Sequence, residues 1–256
     1  MATQRTAPTF IAGRAVNLME LPAHLADHPS VQVANSTLRQ LGDFVQHHTD
    51  VMQDPLLSER GKAAKLNPLK VGMARVIAAA AAVNQDAAKQ TDKREAAMLA
   101  VPAIAPSDAA SAAVDVEVRQ WWRSLDSKQR ADMLQKFQDG PEHQRIEAAL
   151  LRSPVALADP ELLAIRDSWN RQARIDNAGE ATAIARDRYA QDYAGDAIKQ
   201  AAAIFQASTA MPHGDLLRAV VTGDNPMANG AAVFGFSQDA IDRAKVLADG
   251  NESVDG

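Results

Sequence analysis

Alanine restricts the fold of this chain more than any other residue type. The chain has 256 residues, and 52 of them are alanine. The apolar share of 46% includes these alanines, so larger apolar residues make up only about a quarter of the chain. A chain of this length still buries a core. We expect that core to be thin and spread along helices that approach each other closely through small side chains.

Two long helices are predicted, over about 68–99 and 178–207. In the first, apolar residues recur at steps of three and four from Leu69 to Ala87, close to heptad spacing. Gly72 interrupts this helix at a cost of about 1 kcal/mol relative to alanine, which indicates a packing reason for it. Because a narrow apolar stripe buries a helix incompletely, contacts with other chains are expected to cover the rest.

Helix-start signals divide the remaining chain into shorter helices, and they favour an all-α multi-helix bundle. A first helix is predicted over about 36–50 with Ser36 as its N-cap. Asp126 with Gln129 forms a capping-box pattern. An Asn or Asp followed by proline, which typically opens a helix, occurs at 54–55, 67–68 and 159–160.

The predicted organisation has six parts. Prolines and glycine in the N-terminal part break helices, so an extended arm is expected there. Two prolines at 102 and 106 indicate a hinge. The parts are an arm over 1–34, an N-terminal helical region over 35–100, the hinge over 101–107, a C-terminal helical bundle over 108–211, a loop-rich segment with short helices over 212–248 and a disordered tail over 249–256.

Composition excludes several kinds of protein. The chain has no cysteine, which removes disulfides, thiol catalysis and cysteine-based metal sites. Its net charge is −5, so nonspecific binding to nucleic acid is disfavoured. The N-terminus lacks the apolar segment of a classical secretion signal. The most apolar run, over 76–83, is much shorter than the ~20 residues of a membrane span. We expect a soluble protein with no membrane span.

No motif for catalysis, a metal or a cofactor stands out, so a non-enzymatic protein without cofactors is expected. His24 and His28 lie four residues apart, but flanking prolines make a helical zinc pair improbable. His47 and His48 are adjacent, and on a helix they point about 100° apart. A hydrolase that uses Glu142, Glu147 or Glu161 as its acid or base is a third hypothesis.

Cations and aromatic rings occur together between Arg119 and Arg130, with Trp121 and Trp122 adjacent. Stacking of bases on tryptophan and arginine is a mode of single-strand binding. Acidic neighbours dilute the positive charge, and helical spacing favours a core position for one of the tryptophans. A nucleic-acid-associated helical protein is therefore the alternative interpretation.

Residues 147–162, which read EAALLRSPVALADPEL, and the following 165–174 resemble segments of uncharacterised helical proteins of tailed bacteriophages and prophages. The resemblance covers about residues 147–174. It implies a virion-associated or morphogenesis component, found in the virion or the host cytoplasm.

Together these observations favour a structural or assembly protein that acts through contacts with other protein chains, including copies of itself. Apolar and aromatic side chains near loops and chain ends are the candidates for its interaction surface. They are Phe10, Ile11, Leu18, Met19, Trp121, Trp122, Phe234 and Phe236.

Overall fold

The computed structural model describes residues 9–11, 14–16, 20–138, 140–154, 159–222 and 228–252, and this part of the chain is all-α, as predicted. Two short antiparallel strands, β1 (Thr9–Ile11) and β2 (Arg14–Val16), precede the helices. Three-residue 3₁₀ helices span Ala23–Leu25 and Pro141–His143, and a longer one spans Ala228–Phe234. The α-helices are α1 (Pro29–Gln53), α2 (Glu59–Leu99), α3 (Ala109–Ser124), α4 (Ser127–Phe137), α5 (Gln144–Leu151), α6 (Asp159–Asp176), α7 (Ala178–Thr209), α8 (His213–Val221) and α9 (Gln238–Glu252).

The chain forms two compact units, and one is inserted in the sequence of the other. Unit 1 combines Met1–Thr91 with Arg186–Gly256, and unit 2 is Asp92–Ala185. Both unit boundaries fall inside helices, the first in α2 and the second in α7. The predicted helix break over 101–107 is present, because no helix spans the residues between α2 and α3. The compact units nevertheless divide elsewhere, within the two long helices.

Alanine forms much of the core of unit 1. Ala74 and Ala78 of α2 and Ala197 and Ala201 of α7 are all inaccessible to solvent. These alanines belong to one core cluster, in which larger apolar residues fill the space around their methyl groups. Much of that larger volume comes from Phe205, whose ring neighbours are Phe44 of α1 and Phe234.

The core of unit 2 is small and is built on one tryptophan. Trp122 of α3 is buried with Phe137, Leu150 and Ile165, and the rings of Trp122 and Phe137 stack 6.0 Å apart. Helices α3, α5 and α6 therefore meet the C-terminal end of α4 at this core.

Several helix starts lie where the capping patterns predict them. The Asp126 side chain accepts the backbone N–H of Gln129, whose own side chain accepts the N–H of Asp126, a complete capping box. Asp108 accepts the N–H of Ser111 at the start of α3. The two predicted long helices are both present, as α2 and α7.

The prediction was wrong about where α1 and α2 begin. α1 begins at Pro29 rather than near Ser36, because proline suits the first helical position and His28 caps the next amide through Nδ1. α2 begins at Glu59, and Pro68 lies inside it rather than opening it. Ser58 accepts the N–H of Gly61 there, and Leu66, before the proline, is already buried.

The N-terminal and C-terminal parts are more structured than predicted. Residues 9–11 and 14–16 are extended and pair as strands, in keeping with the expected extended arm, but residues 29–34 belong to α1, so the arm over 1–34 is wrong for them. The segment over 212–248 is mostly helical rather than loop-rich, because α8, α9 and the 3₁₀ helix Ala228–Phe234 pack on one another. The expected disordered tail begins inside α9, which extends to Glu252, and residues 253–256 lie outside the described residues.

Candidate interaction surface

The three glutamates of the hydrolase hypothesis have unlike surroundings. Glu142 is exposed in its 3₁₀ helix. Glu161 accepts hydrogen bonds from Trp122 Nε1 and Arg130 Nη1, both at 3.4 Å, and so links α6 to α3 and α4. Glu147 is buried in α5. None of the three lines the groove described below. The carboxyl groups of Glu147, which is buried, and Glu161, which is half-buried, contact other helices of unit 2.

Glu147 is buried beside the hydroxyl of Ser168 and the backbone of Phe137. Its Oε1 lies 2.9 Å from Ser168 Oγ, and that hydroxyl also contacts the carbonyl oxygen of Phe137. A serine hydroxyl has one hydrogen, so Ser168 shares a single donor between Glu147 Oε1 and the carbonyl oxygen of Phe137. Burial raises the pKa of the Glu147 carboxyl, against smaller opposing effects of Ser168 and Arg171.

Unit 2 should therefore lose stability as pH rises through the folded-state pKa of Glu147. A carboxyl with a raised folded-state pKa contributes stability that is complete below its unfolded pKa and is lost on ionisation in the folded state. Glu147→Gln keeps a neutral donor and should remove this loss. Denaturant unfolding of both proteins across a pH series measures this loss. As pH rises, the free energy of unfolding of the variant should increase relative to that of the wild type. A constant difference between them at every pH would contradict the assignment.

Internal contacts occupy much of the tryptophan–arginine cluster. Trp122 is only 1% exposed, which corrects its predicted place on the interaction surface. Arg130 donates to the carbonyl oxygens of Trp122 and Arg123 as well as to Glu161. Trp121 is 38% exposed and is the accessible member of the aromatic pair.

The remaining predicted interaction residues also differ in their placement. Phe234 is buried between the helices of unit 1, so it is a core residue and the prediction for it was wrong. Phe236 is half-buried, with its ring against His213. Phe10 and Ile11 lie in β1, where their backbones pair with Ala15 and Arg14. Leu18 and Met19 lie outside the described residues.

The histidines serve local structure or line a surface. His28 caps α1, and its Nε2 lies 3.5 Å from Asp187 Oδ1. Burial, together with the charge of Lys70, lowers the pKa of His48. Within the described parts of the chain, no three histidine, aspartate or glutamate side chains are grouped so that they could hold a metal ion.

A groove between α1 and α2 forms an apolar surface on unit 1. Its volume is about 410 Å³. Phe44, Met73 and Val76 form its apolar floor, and its other lining residues are Gln40, Asp43, His47, Pro68, Leu69 and Gly72. No atom of another part of the protein lies within 4 Å of a Cβ placed on Gly72, so internal packing does not require a glycine there. A helix interior that contains both Pro68 and Gly72 is costly, and both residues line this groove.

The groove continues along α2 as an apolar line of residues that we call the outer stripe. It consists of Leu69, Gly72, Val76, Ala79 and Val83, at successive steps of three and four. Leu69 is 39% and Val83 is 53% exposed. The sequence pattern had identified part of this line, but it did not separate these residues from buried neighbours such as Met73 and Ile77.

The cations of α2 near the outer stripe are used elsewhere. Lys70 Nζ donates to the Thr209 carbonyl oxygen at the end of α7. Arg75 donates to the carbonyl oxygens of Ala219 and Thr222 at the end of α8. Cations at helix C-termini satisfy carbonyl groups that the helix itself leaves unpaired. The outer stripe is consequently apolar and uncharged along its length.

Among the described residues, α2 is the one helix whose length and apolar composition would suit a membrane span. An 18-residue window within it has a mean hydropathy of 1.3, and 39% of that window is buried inside the protein. Alanine contributes much of this hydropathy, and Ala74, Ile77, Ala78 and Ala81 pack in the core of unit 1.

The chain was compared with models of known protein families, with curated proteins and with solved structures, and nothing matches.

Proposed function

We propose that this protein is a non-enzymatic assembly protein that binds another polypeptide along the outer stripe of α2 and the adjoining groove. The observation that carries the proposal is that the uncharged outer stripe includes a glycine, Gly72, that internal packing does not explain. An amphipathic helix placed in an apolar groove is a common mode of protein recognition. A glycine at position 72 lets the backbone of such a helix approach closely.

Charge and burial support this proposal over the nucleic-acid alternative. None of the five residues of the stripe is charged, and the nearby Lys70 and Arg75 bind carbonyl oxygens of α7 and α8. In unit 2, Trp122 is buried and Arg130 is engaged with Glu161. The resemblance of residues 147–174 to phage helical proteins favours assembly of a phage particle as the setting of this role.

Site-specific photo-crosslinking tests the proposal. The full-length chain carries benzoylphenylalanine at Val83, on the stripe, or at Ala63, which is exposed and points about 200° away around α2. Both versions are irradiated in the cells that naturally make the protein. We expect a discrete crosslinked polypeptide from position 83 and none from position 63. Equal crosslinking from both positions, or none from position 83, would refute this function.

A further inference from the structure

The residues that bound the outer stripe point to the identity of its partner. Continuing the same steps of three and four, Lys65 lies one step before Leu69, and Asp86 lies one step after Val83. Both side chains are on the surface: Lys65 is exposed, and the Asp86 side chain is 65% exposed. Asp86 Oδ1 also lies 3.3 Å from Lys89 Nζ, one turn later, in an exposed ion pair that a partner's lysine can replace at little cost. The stripe therefore has a positive residue at its N-terminal end, a negative residue at its C-terminal end and an uncharged middle.

This order of residues is nearly symmetric about Val76. Leu69 and Val83 lie seven residues on either side of it, Gly72 and Ala79 lie four and three residues away, and the two charges close the ends. When two copies of such a helix pair antiparallel, Leu69 meets Val83 of the second copy and the two small residues meet each other. Lys65 then meets Asp86 at both ends. In a parallel pair, by contrast, lysine meets lysine and aspartate meets aspartate, which is unfavourable.

We propose that the partner of the outer stripe is a second copy of this chain, bound antiparallel with the two-fold axis beside Val76. This inference rests on the proposed function and names its partner. A two-fold axis makes the same surface meet itself, so that surface must be self-complementary. An apolar, uncharged centre with opposite charges at its two ends meets this requirement. Small residues at 72 and 79 on both copies allow the two helices to pack closely.

The absence of cysteine from the chain makes the pairing directly measurable. Single cysteines are introduced into the full-length protein at positions 69, 76 and 83, with Ala63→Cys as the exposed control. Under mild oxidation, Val76→Cys should form a disulfide-linked dimer by itself. Leu69→Cys and Val83→Cys should each crosslink poorly alone and well when mixed, with a size tag on one of them identifying the mixed dimer. Ala63→Cys should remain a monomer.

Charge variants test the orientation without a crosslink. Lys65→Glu should weaken the dimer about tenfold in sedimentation equilibrium, because two attractive pairs become repulsive. Adding Asp86→Lys to the same chain should restore the dissociation constant to about the wild-type value. Val83→Lys places a charge in the apolar centre and should abolish association. Since all these side chains are exposed or at the surface, circular dichroism should show an unchanged fold.

The outcomes separate this inference from the proposed function. A protein that remains a 27.4 kDa monomer at high concentration overturns the second copy as partner. If position 83 then crosslinks to a different polypeptide in cells, the proposed function stands and only the choice of partner fails. Strong self-crosslinking of Leu69→Cys and Val83→Cys would indicate a parallel pair and overturn the antiparallel arrangement. Crosslinking at Ala63→Cys as strong as at position 76 would overturn the interface itself.

Discussion

Gly230→Ala should destabilise unit 1 by about 3 kcal/mol or more, and it should lower the melting temperature of that unit sharply. A Cβ on residue 230 would lie 1.8 Å from the carbonyl oxygen of Ala78 and 2.6 Å from its carbonyl carbon. Both atoms belong to the backbone of α2, which is fixed in the core, so the clash has no side chain that can move aside. The 3₁₀ helix Ala228–Phe234 would have to leave α2.

Gly42→Ala is the matched control for this prediction. Gly42 lies within α1 in the same unit, and a Cβ there meets no atom within 4 Å. Alanine should raise stability there by about 0.5–1 kcal/mol, because it favours the helix. Denaturant unfolding of the full-length proteins, followed by circular dichroism, measures both changes. A Gly230→Ala protein as stable as the wild type would show that the 3₁₀ helix does not pack on Ala78.

Asp115→Ala should cost unit 2 about 3–5 kcal/mol of its free energy of unfolding. Asp115 is only 1% exposed. Its two carboxylate oxygens accept from Arg152 Nε at 2.7 Å and Arg152 Nη2 at 2.9 Å, and Arg145 Nη2 lies 3.4 Å away. Arg152 also donates to the carbonyl oxygen of Pro102, so the pair joins α3, α5 and the segment before α3. Removal of the carboxylate leaves a largely buried guanidinium without its counter-charge.

An exposed ion pair of the same unit provides the comparison. Arg94 and Glu180 lie 2.9 Å apart with both side chains more than 40% exposed. Glu180→Ala should therefore change stability by no more than about 1 kcal/mol. A double variant, Asp115→Leu with Arg152→Met, should recover much of the loss because it leaves no buried charge. Equal effects of Asp115→Ala and Glu180→Ala in thermal unfolding would contradict the central role of the buried pair.

The two buried carboxyls of unit 2 oppose each other in their response to pH. Hydrogen bonds from Arg152 lower the pKa of Asp115, so its contribution is present above its unfolded pKa and is lost as pH falls through its folded-state value. The contribution of Glu147 changes in the other direction. Asp115→Ala and Glu147→Gln should therefore alter opposite sides of the pH–stability profile of this unit.

The sequence allowed the helices to be predicted because their signals are local. A capping residue such as Asp126 acts within one turn, so the pattern of residues that follows is enough to find it. Pro68 shows the limit of such signals. The same Asn-Pro pattern opens a helix at one place and lies inside a helix at another, and only the packing of Leu66 distinguishes the two.

Features that depend on distant parts of the chain were not predictable from local patterns. The buried state of Phe234 depends on the contact of Gly230 with Ala78, which lies about 150 residues earlier in the chain. The raised pKa of Glu147 results from its burial, and the surrounding groups, such as Ser168 and the Phe137 carbonyl, come from other helices. For the outer stripe, the spacing was visible in the sequence, but its accessible face became known only once the buried face of α2 was located.

Because unit 2 is inserted within the sequence of unit 1, the two units can fold only in a certain order during synthesis on the ribosome. The N-terminal helices of unit 1 emerge first, yet their core lacks Ala197, Ala201 and Phe205 until α7 has been synthesised. Unit 2 has all its residues earlier and can fold while α1 and α2 still expose apolar surface. Nascent chains that end before about residue 210 should thus be the species that chaperones bind most strongly.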